Sequence, residues 1–217
     1  MTREELKSYI ANCVLMGDVV KDGTDLHRYN FLASFEMEQF ALSVAGSVCV
    51  DDMYFKVMDD KIVLTYCASR CPVYDLGDLV DEIGPFAFAG NPFVKVVQGG
   101  QGERLASSMI VRLAKVLKLP IKVKPRCHGG VLKIDESAFE GCKRLEWVEF
   151  LNCIEVGRWA FCGCKRLYYV SLPNRKDVGR GAFLDCESLS SAFIGKLYWG
   201  HLVKITKHKV TSREEIL

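Results

Sequence analysis

Apolar residues in the second half of the chain recur at a spacing longer than that of a single helix or strand. The segments IDESAFEGCKRLEWVEF from Ile134, VGRWAFCGCKRLYYVSL from Val156 and VGRGAFLDCESLSSAFI from Val178 align with a period of 22. Six columns repeat: Ile134/Val156/Val178, Ala138/Ala160/Ala182, Phe139/Phe161/Phe183, Cys142/Cys164/Cys186, Leu145/Leu167/Leu189 and Val148/Val170/Ala192. A fixed period between about 20 and 50 residues marks a solenoid, in which each unit leaves an apolar face that only its neighbours cover. The runs ending WVEF, YYVSL and SAFI predict short strands, each pairing in parallel with its counterpart about 4.8 Å away. The Phe and Leu columns predict the core, and the Ala column a close approach between turns. The Gly after Ala-Phe-x in the first two copies, Gly141 and Gly163, predicts a backbone conformation that a Cβ disfavours. Stacking should then bring the cysteines into an inward row of thiols making weak contacts to backbone.

A fourth copy, IGPFAFAGNPFVKVV from Ile83, keeps Ala87, Phe88, Gly90, Val94 and Val97 in register and puts Asn91 in the cysteine column. Between it and Ile134 lies GERLASSMIVRLAKVLKLPIKVKP, whose Leu105, Met109, Val111, Ala114, Val116 and Leu117 suit a helix. Pro120 ends that helix and Ile121 to Lys124 alternates as a strand. This predicts one further coil with an enlarged helix, about five coils in all. Upstream, the VMDDK turn between two alternating runs predicts a hairpin. At the start of the chain, Thr2 is a candidate N-cap, with Glu4 and Glu5 in the first turn and Leu6, Ile10, Cys13 and Val14 on one face. RYNFLASFEMEQFALSV fits a second helix or two strands, and the helix is preferred. The expected organisation is a mainly helical cap over 1–53 and a solenoid over 54–207, followed by a tail over 208–217. The solenoid comprises an opening hairpin at 54–74, coils to 194 and closing strands at 195–207.

The motif Val156-Gly157-Arg158-Trp159-Ala160-Phe161-Cys162-Gly163-Cys164-Lys165-Arg166-Leu167-Tyr168-Tyr169-Val170 resembles the BspA-like (Treponema-type) leucine-rich repeats. The segment from Tyr54 is similar to the hairpin-plus-strand opener that bacterial members place before their first Ile-Gly coil. The resemblance spans roughly Tyr54 to Lys207. It implies an α/β repeat solenoid of the leucine-rich-repeat kind behind a mixed α+β cap, and a role in protein binding or adhesion. The chain departs from the motif at Asn91-Pro92, in the enlarged coil and at Asp185-Cys186-Glu187.

Composition adds constraints. At 217 residues and 49% apolar, the chain can bury a substantial core. No run approaches the roughly 20 apolar residues of a membrane span, and the N-terminus lacks a cleavage signature. The expected setting is therefore cytoplasmic, without a membrane partner, where ten cysteines stay reduced. The net charge of +2 hides an asymmetry: residues 1–101 carry 8 basic and 15 acidic side chains, a net of −7, whereas 102–217 carry 21 and 12, a net of +9. Such a split can mark an acidic or polyanionic partner.

Most chemistries find no support. Zinc at Cys162-x-Cys164, with Cys142, Cys153 or Cys186, needs ligands converging on one point, but cysteines at the solenoid period spread along an axis. Cys67-x3-Cys71 and Cys127-His128 have no motif partner. None of His27, His128, His201 and His208 sits in a catalytic motif, so no enzyme is expected. Gly99-Gly100-Gln101-Gly102 lacks the Lys-Ser/Thr of a phosphate loop. No cofactor and no metal are expected. Basic columns remain: Lys143-Arg144 over Lys165-Arg166, and Arg158 over Arg180, with Trp147, Trp159, Tyr168 and Tyr169 in the same coils. These ten residues form the candidate binding set. The expected function is a non-enzymatic intracellular interaction module, an adaptor or inhibitor, for an acidic or nucleoprotein partner. The alternative is a nucleic-acid or nucleoprotein binder, such as a phage-type inhibitor of a host nucleoprotein complex.

Overall fold

The computed structural model of the protein describes residues 1–22, 34–99, 130–172, 174–189 and a strand at 191–194. Helix α1 (Arg3–Met16) starts at Thr2, whose hydroxyl accepts from the Glu5 amide while the Glu5 carboxylate accepts from the Thr2 amide. This reciprocal capping satisfies two amides that no helical carbonyl can reach. The helix stops at Gly17, at φ +72°. Leu6, Ile10 and Cys13 are buried. Val14, expected on the same face, is 53% exposed, because the buried stripe runs through Cys13 and leaves Val14 on its flank.

Helix α2 (Ser34–Val44) leads into strands β1 (Val48–Val50), β2 (Met53–Met58) and β3 (Lys61–Cys67), which form an antiparallel meander. The connecting residues Asp51-Asp52 and Asp59-Asp60 all have positive φ, between 48° and 63°, as tight hairpin turns require. Opposite Tyr54 and Phe55 stand Tyr66 and Leu64, so Thr65 is an extra residue that turns Tyr66 away from the side of Leu64. Leu64 joins the main core with Phe55, Ile62 and the buried face of α1. Tyr66 joins a separate cluster with Phe40 and Val44 of α2 and with Phe86 and Ala89.

Strands β4 (Val73–Asp75), β5 (Glu82–Ile83), β6 (Val96–Gly99), β7 (Lys133–Ile134), β8 (Trp147–Phe150), β9 (Glu155–Val156), β10 (Tyr169–Leu172), β11 (Asp177–Val178) and β12 (Ser191–Ile194) follow. One sheet has the order β1-β2-β3-β5-β7-β9-β11 and the other β12-β10-β8-β6-β4, with every coil-to-coil pairing parallel. A third ladder closes the cross-section. The amides of Phe86, Phe88 and Gly90 donate to the carbonyls of Glu136, Ala138 and Glu140. Those of Ser137, Phe139 and Gly141 donate to Arg158, Ala160 and Cys162, and those of Trp159, Phe161 and Gly163 to Arg180, Ala182 and Leu184. Backbone polar groups on all three sides thus find partners in the adjacent coil.

The coil beginning at Ile83 lies directly against the one beginning at Ile134: β5 pairs with β7, β6 with β8, and the Phe88 and Phe139 rings stack at 4.9 Å. The described strands make four coils, and the further coil expected over the segment between them lies outside the described residues. The helix and strand expected within 102–124, the closing strands at 195–207 and the tail at 208–217 lie outside the described residues.

Stacking is sharpest along the inner columns. Phe88, Phe139, Phe161 and Phe183 form a continuous ladder with centroid separations of 4.9, 5.0 and 5.2 Å and nearly parallel rings. Beside it, each thiol donates to the Phe carbonyl of the preceding coil: Cys142 to Phe88 at 2.9 Å, Cys164 to Phe139 at 3.1 Å and Cys186 to Phe161 at 3.1 Å. Asn91 occupies the same column where the preceding unit is the hairpin. Its Oδ1 accepts from the amides of Phe93 and Val94, and its Nδ2 donates to the carbonyls of Cys67 and Ser69.

Two further columns have left-handed backbone. Gly90, Gly141, Gly163 and Asp185 lie between φ 57° and 71°, as the sequence suggests for the glycines, and so do Phe86, Ser137, Trp159 and Gly181, between 53° and 68°. The tightest approach is elsewhere: a Cβ on Gly157 would lie 2.5 Å from the backbone of Asp135 and Glu136, and one on Gly179 at 2.4 Å from Arg158. Gly157→Ala must therefore push two coils apart. A loss of about 2 kcal/mol or more in urea unfolding is expected, and an unchanged midpoint would contradict so close a contact. Phe161→Ala, at the centre of the ring ladder, should cost about 3–5 kcal/mol in the same assay.

Candidate functional site

Each coil turns twice around the third ladder, and the cations sit on the turns. Lys143, Arg144, Lys165 and Arg166 follow the cysteine column and are exposed, because the chain there leaves the core between the buried Cys and Leu positions. Arg158 and Arg180 are exposed on the opposite turn, just after strands β9 and β11. The structure thus brings the basic residues into two edges of one prism.

The two edges differ in their counter-charges. Lys165 is held by Glu187 at 2.8 Å, which raises its pKa through the hydrogen bond and the adjacent charge. In the N-terminal part, Arg3 pairs with Asp81, Lys7 with Asp60 at 2.5 Å and Lys61 with Glu82 at 2.6 Å. Among the described residues, Lys143, Arg144, Arg158, Arg166 and Arg180 form no ion pair.

The aromatic members of the candidate set divide. Trp147 is only 6% exposed, packed with Val73 and Val96 and stacked on Tyr169 at 3.6 Å. It is a packing residue, contrary to its inclusion in the binding set, because the register of β4, β6, β8 and β10 lines these four side chains up across one sheet. Tyr169 is half-buried by the same stack. Tyr168 and Trp159 each keep 36% exposure. Burial first, and then the charge of Glu146, raise the pKa of the Tyr168 hydroxyl. Trp159 carries the Arg158 guanidinium over its ring, 4.5 Å from the centroid.

The described thiols of the Cys-x-Cys segment diverge rather than converge. Cys164 points inward and is fully buried, while Cys162 points outward beside Glu140 and Leu184 of the neighbouring coils, so the Cys-x-Cys pair diverges. Burial, then Glu140 and Asp185, push the Cys162 thiol up to about 11. Burial raises Cys153 and Cys186 to about 12 and pushes Cys142 and Cys164 up as well. Cys71 instead donates to the Val73 carbonyl at 3.1 Å. Among the described residues no group of His, Cys, Asp and Glu could hold a metal ion. All four histidines, Cys127 and Gly100 to Gly102 lie outside the described residues.

The raised thiols couple stability to pH. A thiol whose folded pKa exceeds its ordinary value near 9 stays protonated in the fold while the unfolded chain ionises. Its contribution is intact below about pH 9 and is lost as pH rises through about 12. Urea midpoints should hold between pH 7 and 8.5 and fall steadily above 9. Replacing Cys153 and Cys186 together by Ala should flatten that fall, and an identical slope in the double variant would contradict the assignment.

Residues 126–205 match the family model described as the BspA type leucine rich repeat region, in 6 copies. No curated protein matches the chain. Among solved structures it is similar to a leucine-rich repeat protein from Bacteroides capillosus ATCC 29799, with 17% identity, a TM-score of 0.48 and coverage of 68% of this chain and 97% of that one. A leucine rich repeat protein of T. pallidum aligns with 23% identity and a TM-score of 0.43 over 67% and 70% of the two chains. A leucine rich cell surface protein from Faecalibacterium prausnitzii A2-165 aligns with 16% identity and a TM-score of 0.40 over 69% and 39%. No helix among the described residues is long and apolar enough to cross a membrane. The 22-residue coils, the stacked Phe and Cys columns and the family match agree: residues 126–205 of this chain are similar to a BspA type leucine rich repeat region.

Proposed function

We propose that the protein is a non-enzymatic intracellular interaction module, an adaptor or inhibitor that binds a macromolecular partner through the turns of its solenoid. One observation carries the reading: five cations on the turns of neighbouring coils form no ion pair among the described residues. Like charges stacked at the coil spacing repel one another, and an anionic partner offsets that cost. Lys143, Arg144, Arg158, Lys165, Arg166 and Arg180, with Trp159 and Tyr168, are the proposed binding residues. Free buried thiols with raised pKa values suit a reducing compartment, which supports the intracellular setting.

The same cations support nucleic-acid or nucleoprotein binding as the second reading, and the two separate experimentally. Pull-down from a native lysate, with and without nuclease, should recover partner proteins in both conditions. Lys165→Glu/Arg166→Glu should reduce their recovery. Loss of every partner after nuclease treatment would sink the first reading in favour of the second, and binding would then weaken steeply with added salt.

A further inference from the structure

The two cationic edges of the solenoid are not equivalent. At the Lys143/Lys165 edge the charge is partly answered from within, by Glu187 on Lys165. At the other edge, Arg158 and Arg180 stand in one column and form no ion pair among the described residues; the Trp159 ring lies under the Arg158 guanidinium, and its amide donates to the Arg180 carbonyl. Trp159 has φ +53°, in a column whose neighbours are Ser137 and Gly181. A bulky side chain rarely adopts that conformation, and local strain of this kind tends to be kept where it serves a site. The indole rests on Gly181, where even a methyl group would lie 2.6 Å from its Cδ1 and 2.8 Å from its Nε1. Gly181 thus leaves the space that the indole occupies, with Arg158 over the ring and 36% of the residue left to solvent. A rigid, half-exposed indole beside Arg is the composition of an interface hot spot.

We propose that Arg158, Trp159 and Arg180 form the recognition site of the module and that its ligand is an acidic segment of a partner protein; the site rests on the module function proposed for the whole solenoid. Carboxylates of the ligand meet the two guanidiniums, and its main chain or an apolar side chain covers the indole. The surroundings favour a short acidic segment over a nucleic-acid backbone. Glu136 stands one coil before Arg158 in the same column. A continuous polyanion running across the coils meets the like charge of Glu136 at that end of the site, whereas a short segment does not.

The test is fluorescence anisotropy at low ionic strength with two labelled probes, octaglutamate and octathymidylate. Wild type should bind octaglutamate, and Arg158→Glu/Arg180→Glu and Trp159→Gly should each weaken that binding roughly tenfold or more. Lys21→Glu/Arg70→Glu, the same change of charge at exposed cations outside the repeats and outside the proposed binding residues, should change it less than about twofold. Trp159→Gly separates binding from folding, because glycine suits φ +53° and the variant should keep its cooperative thermal transition. Absence of octaglutamate binding, equal binding by all variants, or tighter binding of octathymidylate lost with the same variants would each overturn the proposal. Lysate pull-down distinguishes failure of the site from failure of the module. Capture of the same proteins by wild type and by Arg158→Glu/Arg180→Glu refutes this site and leaves the module intact, whereas capture of nothing by wild type refutes the module.

Discussion

Coils of this protein touch backbone to backbone, and the distance between them governs the rest. At Gly157 and Gly179 the separation leaves no room for a Cβ, and along the Phe ladder it equals the stacking distance of aromatic rings. Two parallel sheets and a third ladder of amide-to-carbonyl bonds are satisfied at the same spacing. Because every side chain must accept this one translation, like residues fall into columns. Apolar columns gain from it by burial, small columns make it possible, and charged columns inherit a repulsion they did not create.

That constraint explains where chemistry is found and where it is absent. Cysteines placed in a column are carried to separate levels of the axis, each donating to a different carbonyl, so they cannot converge on an ion. Cations on the turns are instead held close together at the surface, with a geometry set by the backbone and little freedom to separate. Trp159 adds a rigid aromatic at a turn where the next coil supplies a glycine, Gly181, against the ring.

Much of this could be read in the chain. The period of 22, the Phe, Ala and Leu columns and the inward thiols follow from aligned residues, and the left-handed glycines follow from their place in the turn. Three features could not. The 30 residues between Gly99 and Gly130 have helix and strand patterns of their own, and nothing in them signals that Ile83 pairs with Ile134 across the gap. The second left-handed column is filled by Phe86, Ser137 and Trp159, residue types that give no hint of positive φ, and only Gly181 betrays it. Trp147 reads as an outward strand residue, and its burial depends on Val73 and Val96 in strands far away in sequence. Local pattern reports the repeat. Register between distant segments and the cover over an outer face are tertiary facts.

Each thiol bond runs from a coil to the one before it, and this gives the array a direction. A coil brings one donor, its cysteine, and one acceptor, its Phe carbonyl. Inserting or deleting a whole 22-residue unit between Cys142 and Cys186 therefore leaves the number of unmatched groups unchanged. Only the first position is special, where Asn91 joins a repeat to a hairpin that has no Phe carbonyl to offer. The length of such an array is free to drift by duplication, while its beginning is fixed by a single amide side chain.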